Sequence, residues 1–204
     1  MKYINKSKIY TIAFFLSLGI MGCQKVLDIN TDPNNPTSAN PEQLLPAAQV
    51  EMASALYNAS NGRGYAVATA EWGQYWASGT TIGAAPLESH TMVGGDIDRS
   101  YQRMYSRALQ DFSELIKKES DQPIYAGISK ILTAYTLQTL VDLHGDVPYS
   151  DALKGDLSDG GVITPKFDKA TDIYANLIPL IDEDIVDLHK TGVTIKFPSD
   201  EDLV

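Results

Sequence analysis

YAGISKILTAYTLQTLVDLHGDVPYSDAL, residues 125–153, is the stretch that decides the fold. Ile128, Ile131, Leu132 and Tyr135 fall at i, i+3, i+4 and i+7, the period of an amphipathic helix. Leu137, Leu140, Val141 and Leu143 widen that stripe until apolar residues cover well over half of the cylinder. A helix so apolar is expected to pack on several sides. Ala126, Gly127 and Ala134 leave room for neighbouring helices to approach. Gly145 suits the left-handed position after a helix end, and Pro148 lies just beyond it. His144 falls in the last turn, where the helix dipole favours a cation. The Asp146–Tyr149 segment is too specific for a generic loop, and Asp146 reads as a carboxylate that accepts backbone N–H bonds.

Working outward, a Gly-rich loop over 156–165 leads to Asp168, the expected cap of a last helix. That helix carries Ile173, Tyr174, Leu177, Ile178, Ile181, Ile185 and Leu188 on its apolar face. Pro179 inside it should kink the helix or cost about 3 kcal/mol. Gly192 ends it, and Val193–Phe197 reads as a short strand or extended edge. On the other side, Ser120–Pro123 closes a preceding helix capped by Asp96 or Asp98, with Tyr101, Met104, Tyr105, Ala108, Leu109, Phe112 and Leu115 on its apolar face. The 77–95 loop is longer than ordinary connections. Tyr65–Trp76 reads as a shorter helix with Trp72 and Trp76 on one face. Asn40 at the cap and Pro41 at N1 open the first helix, whose regular part Pro46 should delay. Five helices joined as hairpins, with no run of period-2 strands, predict an all-α, tetratricopeptide-like α-α superhelix with long irregular loops. No strict 34-residue repeat is legible, so helix order alone carries that expectation.

The amino terminus follows a different logic. Residues 1–9 are basic, and an apolar run to Met21 is shorter than the roughly 20 residues of a membrane span. Ile20-Met21-Gly22-Cys23 has a branched aliphatic residue, a free position, a small residue and then the chain's one cysteine. That order resembles a bacterial lipobox. It predicts a signal peptide over 1–22, lipid attachment (diacylglycerol and palmitate-type acyl chains) at Cys23, a tether over 23–40 and a helical body over 41–204. Several acyl chains anchor a protein far more firmly than one. In the tether, Asp28, Asn30, Asp32 and Asn34 alternate as calcium ligands do, but Pro33 stands where the loop needs Gly and Ala39 where it needs Glu. A stiff, turn-rich spacer is the better reading.

The chain has 16 Lys and Arg against 26 Asp and Glu, a formal charge of −10. Loss of residues 1–22 removes three lysines and no acid, taking the charge from −10 to −13. A surface so acidic repels phosphate backbones, which argues against nucleic acid as a partner. His90, His144 and His189 are far apart in sequence, and no nucleophile elbow, phosphate loop, dinucleotide motif or HExxH pair is present. No metal site and no catalytic set is therefore assigned. The candidate ligand-binding residues are Trp72, Tyr75 and Trp76, beside the long loop. Aromatic faces stack on the apolar faces of sugar rings, although rings at helical spacing are more commonly core. Tyr101 and Tyr105 read as core.

Several segments together resemble the SusD/RagB family of nutrient-binding outer-membrane lipoproteins. They are the lipobox at Cys23, LDINTDPNNPTSANPEQLLPAA from Leu27, the helix with Trp72, YQRMYSRALQDFSELI from Tyr101, AYTLQTLVDLHGDVPYSDAL from Ala134 and TPKFDKATDIYANLI from Thr164. The resemblance implies a SusD-like helical scaffold for long binding loops, exposed on the cell outer membrane. It also implies a SusC-like TonB-dependent transporter as partner, an oligosaccharide or peptide nutrient as ligand, and neither cofactor nor catalysis. Family members run to about twice this length or more, so the chain is expected to be an amino-terminal portion of the pattern. A helical scaffold lipoprotein that bridges protein partners without a small ligand is the alternative. Intact-mass spectrometry of the membrane-bound protein is expected to find a mature chain beginning at acylated Cys23, and Cys23→Ala is expected to release the protein from the membrane fraction.

Overall fold

The computed structural model describes residues 40–57, 64–77, 79, 88–91 and 93–189. Cys23, the tether, most of the long loop, Gly192 and the 193–197 segment lie outside the described residues. The described part is helical, with one two-residue strand pair. Helix α1 is Pro41–Tyr57, α2 Tyr65–Trp72, α3 Asp98–Arg103, α4 Gln110–Ile116, α5 Pro123–His144 and α6 Ala170–Leu188. A π-helical segment, Met104–Leu109, joins α3 to α4 without a break. Among the described residues no helix is long and apolar enough to cross a membrane.

Asn40 caps α1 as expected, its side-chain oxygen accepting the Glu42 N–H at 3.3 Å. Pro46 does not delay the helix, which is continuous from Pro41. The loss of one backbone donor is outweighed by the burial of Leu45, Ala48, Met52, Ala55 and Leu56 on one face, each large side chain being worth about 1.5–3 kcal/mol. That face meets Met104, Ala108, Phe112 and Leu115, and the same core continues to Leu132, Leu137 and Leu140 of α5 and to Ile173 and Leu177 of α6. Glu51 of α1 holds Arg103 and, at 3.2 Å, Arg107, which ties α1 to the segment that runs from α3 into the π segment. Lys130, only 5% exposed, meets Glu119 at 3.0 Å and straps the corner between α4 and α5.

Helix α5 is central, touching α1, the π segment, α4 and α6. Ser129 and Thr136 are buried on it and return their hydroxyls to the Tyr125 and Leu132 carbonyls, both at 2.7 Å, which satisfies them inside the core. The expectation of burial on every side holds only in part. Ile131, Tyr135 and Leu143 are exposed, and Ile131 and Tyr135 with Tyr174, Ile178 and Ile181 of α6 leave an uncovered apolar strip. Pro179 lies within α6, on the exposed side together with Ala175. The Ala175 carbonyl that lacks a donor therefore faces water.

The segment between α5 and α6 is tightly specified. Gly145 has φ 74° and ψ −123°, a positive φ as expected but outside the left-handed helical basin. Strand β1, Val147–Pro148, pairs antiparallel with β2, Phe167–Asp168, with Val147 opposite Asp168. The capping differs from expectation. Asp168 does not cap its own helix; it accepts the N–H groups of Tyr149 and Ser150 at 3.1 and 2.7 Å. Asp146 caps α6 instead, accepting the Ala170 N–H at 2.9 Å. Each carboxylate thus holds the backbone of the other's segment, and these bonds keep the Asp168 carboxyl below its ordinary range.

A methyl group at Gly145 would meet nothing within 4 Å, so Gly145→Ala tests backbone strain alone. Urea denaturation is expected to show a loss of about 1–3 kcal/mol. Asp146→Ala is expected to cost about 0.5–2 kcal/mol, the range for a lost helix cap.

Candidate functional site

Three helices meet at one surface: α2 along its length, α3 at its entry, and α5 at its carboxy end. Helix α2 stops at Trp72, earlier than its apolar pattern suggests. Gln74 takes a left-handed φ of 59°, and the Tyr75 and Trp76 N–H groups fold back onto the Ala70 carbonyl at 2.9 and 3.2 Å. Trp72 and Trp76 therefore do not share a helix face, contrary to the spacing argument. Burial within the core, the commoner fate of such rings, does not hold for them either. Trp72, Tyr75 and Trp76 are 42%, 86% and 56% exposed.

Trp72 is held in place from one side. The His90 ring lies on it at 4.5 Å between centroids, and His90 Nε2 is 3.0 Å from the Trp72 carbonyl. His90 has a φ of 56°. Below Trp72 is a cavity of about 290 Å³ walled by Tyr65, Ala68, Thr69, Trp72, Ile97 and Leu143. Tyr75 and Trp76 do not line it. The Tyr75 ring folds back toward Gly73, where an added methyl would come within 3.2 Å of it.

Behind that cavity sits an aromatic hub, of which the helical spacing predicts only Tyr101 and Tyr105, and those as core. Tyr65 Oη lies 2.7 Å from His144 Nε2. The Tyr65 and Tyr101 rings both meet His144 edge-on, with centroids 5.5 and 5.1 Å away. Tyr101 packs on Tyr105 at 4.9 Å, and Tyr105 donates to the Pro148 carbonyl at 2.6 Å. Burial holds the Tyr65 and Tyr105 phenols well above their ordinary values, so both remain donors at neutral pH. A neutral imidazole and a protonated phenol suit this contact in either sense, Tyr65 donating to a bare Nε2 or accepting from Nε2–H. Burial also lowers the His144 pKa. The helix dipole favours the cation at this position, but desolvation outweighs it and His144 is neutral at pH 7. Tyr101 and Tyr105 are half-buried, packed against the core while lining clefts.

A larger cleft, about 740 Å³, lies between α1 and the π segment, walled by Pro46, Val50, Glu51, Arg107 and Asp111. It has no aromatic ring and so no stacking face. Among the described residues no group of three or more His, Cys, Asp or Glu is placed to hold a metal ion.

Residues 33–204 match the family described as SusD-like, starch-binding associating with outer membrane. Among solved structures, the chain is similar to a SusD/RagB family protein from Bacteroides thetaiotaomicron VPI-5482, with a TM-score of 0.60, 20% identity and coverage of 75% of this chain and 31% of that one. It is also similar to a chitin-binding protein, with a TM-score of 0.59, 23% identity and coverage of 79% and 35%. At these identities the likeness concerns the tetratricopeptide-like helical fold. The chain spans about a third of the length of either structure. No curated protein matches it.

The neutral His144 has a consequence for stability. Its lowered pKa means that the unfolded chain takes up a proton more readily than the folded one below the ordinary value of 6.5. Its contribution is complete above that value and falls away as pH drops through the folded pKa. Thermal melts are expected to show a lower midpoint at pH 5 than at pH 7.5, and His144→Gln is expected to flatten that part of the profile.

Proposed function

This chain belongs to the SusD-like family, and from that premise we propose that it is a surface lipoprotein of the outer membrane, anchored through Cys23. In this reading it binds an oligosaccharide and passes it to a SusC-like TonB-dependent transporter. It acts by binding and uses no catalytic residue or cofactor. The observation that carries the reading is the exposure of Trp72, Tyr75 and Trp76 beside the long loop, with the Trp72 ring fixed by His90 over a cavity. Leaving three large rings in water forgoes several kcal/mol of burial. Such a surface is most readily explained by a ligand with apolar faces of its own.

Pyranose rings have such faces, and their hydroxyls need partners at the edge. Thr69 and the polar rim of the aromatic hub supply them. A pre-ordered ring loses little entropy on binding, and the His90 contact is what pre-orders Trp72. The helical array contributes rigidity, holding α2 against α1 and α5 while the loops meet the ligand.

The second reading, a scaffold that bridges protein partners only, draws on the uncovered apolar strip of α5 and α6. Calorimetry with maltohexaose and chitohexaose separates the two. Under the first reading Trp72→Ala weakens binding by about 2 kcal/mol or more, as expected of a central aromatic anchor, with an unchanged melting temperature. Binding of the transporter with no affinity for either sugar favours the scaffold reading and removes the first.

A further inference from the structure

We infer that the ligand surface extends beyond Trp72, across Ile97, into a second cleft, and that the joined surface selects uncharged glycans over anionic ones. This rests on the reading of Trp72 as a sugar-stacking face. The second cleft has a volume of about 410 Å³, and Ile97 is a wall of both. The remaining partition is the hydrogen-bonded pair Tyr65 and His144, Tyr65 facing the first cleft and His144 the second. The two clefts are therefore neighbours on one surface.

The lining of the second cleft repeats the chemistry of the first. Phe167 presents a ring that is 68% exposed. The β1–β2 pairing fixes its backbone opposite Pro148. Tyr101 adds a hydroxyl, and Asp98 and Asp146 add carboxylates. Asp146 uses Oδ1 to cap α6 and is at the same time a wall of the cleft. A stacking ring in each cleft, with carboxylate acceptors in the second, suits a chain of several pyranose units rather than a single sugar.

Charge then sets the class of sugar. No Lys or Arg is among the described residues that line either cleft. His144, which occupies the partition, is neutral for the reason given above. Asp98 and Asp146 are the formal charges present, and both are negative. A uronate or sulfate group placed here meets like charge with no Lys or Arg among the described lining residues to offset it. A neutral hydroxyl donates to the same carboxylates.

Calorimetry on the full chain tests this with maltohexaose and chitohexaose as neutral probes and hexagalacturonate as the anionic one. The expected result is that at least one neutral hexamer binds, that hexagalacturonate binds at least about tenfold more weakly, and that Phe167→Ala weakens the neutral hexamer by about tenfold. Asp98→Asn is expected to narrow the gap between neutral and anionic probes. Circular dichroism confirms that each variant remains folded. A neutral hexamer lost in Trp72→Ala but unaffected by Phe167→Ala overturns the second cleft and leaves the first reading standing. Hexagalacturonate binding as tightly as the neutral probes overturns the charge selection. No binding by any of the three overturns the glycan reading and this inference with it.

Discussion

Two carboxylates that each hold the backbone of the other's segment organise this structure. Asp146 leaves α5 and closes the first turn of α6, while Asp168 precedes α6 and closes the turn that follows α5. Helix starts carry unsatisfied N–H groups that must find acceptors, and here the acceptor comes from across the hairpin. The magnitudes separate two jobs. Burial of Val147, Ile173 and Leu177, at about 1.5–3 kcal/mol each for side chains of this kind, makes the hairpin close. The caps, at about 0.5–2 kcal/mol each, are directional and fix where it closes. That register sets His144, Val147 and Phe167 around one cleft.

The helical architecture was legible from the sequence because it rests on long periodic stretches. The α5 pattern and the stop at Gly145 recur in the structure, and the helix opens at Pro123, two residues before the quoted stretch. Asn40 and Asp146 were legible too, since caps and turns follow from short-range chemistry. What escaped depended on contacts distant in sequence. Asp168 lies just before a helix and so looks like its cap, yet its partners at Tyr149 and Ser150 are reached only through the strand pairing. The α2 end escaped although Gly73 stands at its cap, because the left-handed residue is Gln74 and not the glycine.

The candidate site was legible only in its outermost members. Trp72, Tyr75 and Trp76 stood out by type and clustering. Tyr65, Tyr101 and His144 come from three separate helices, and no spacing rule connects them. The one signal was the histidine at a helix end that leads into Gly-Asp-Val-Pro-Tyr. It was read as a dipole partner because local reasoning sees the helix carbonyls and not the rings above them. Burial by Tyr65 and Tyr101 reverses the outcome. His90 could be found only through the length of its loop, which marked that segment as more than a connector.

The π segment at Met104–Leu109 bears on how this fold tolerates changes in length. A π turn holds one residue more than an α-helix needs over the same rise, and here Tyr101 before the segment, Met104 and Ala108 within it and Phe112 and Leu115 after it all still pack on the core. Loss of a single residue within 104–109 can therefore be absorbed by healing the segment to plain α-helix, with the flanks left in phase. The same loss inside α5, which has no such slack, would turn everything after it by roughly 100° about the axis and carry His144 away from Tyr65.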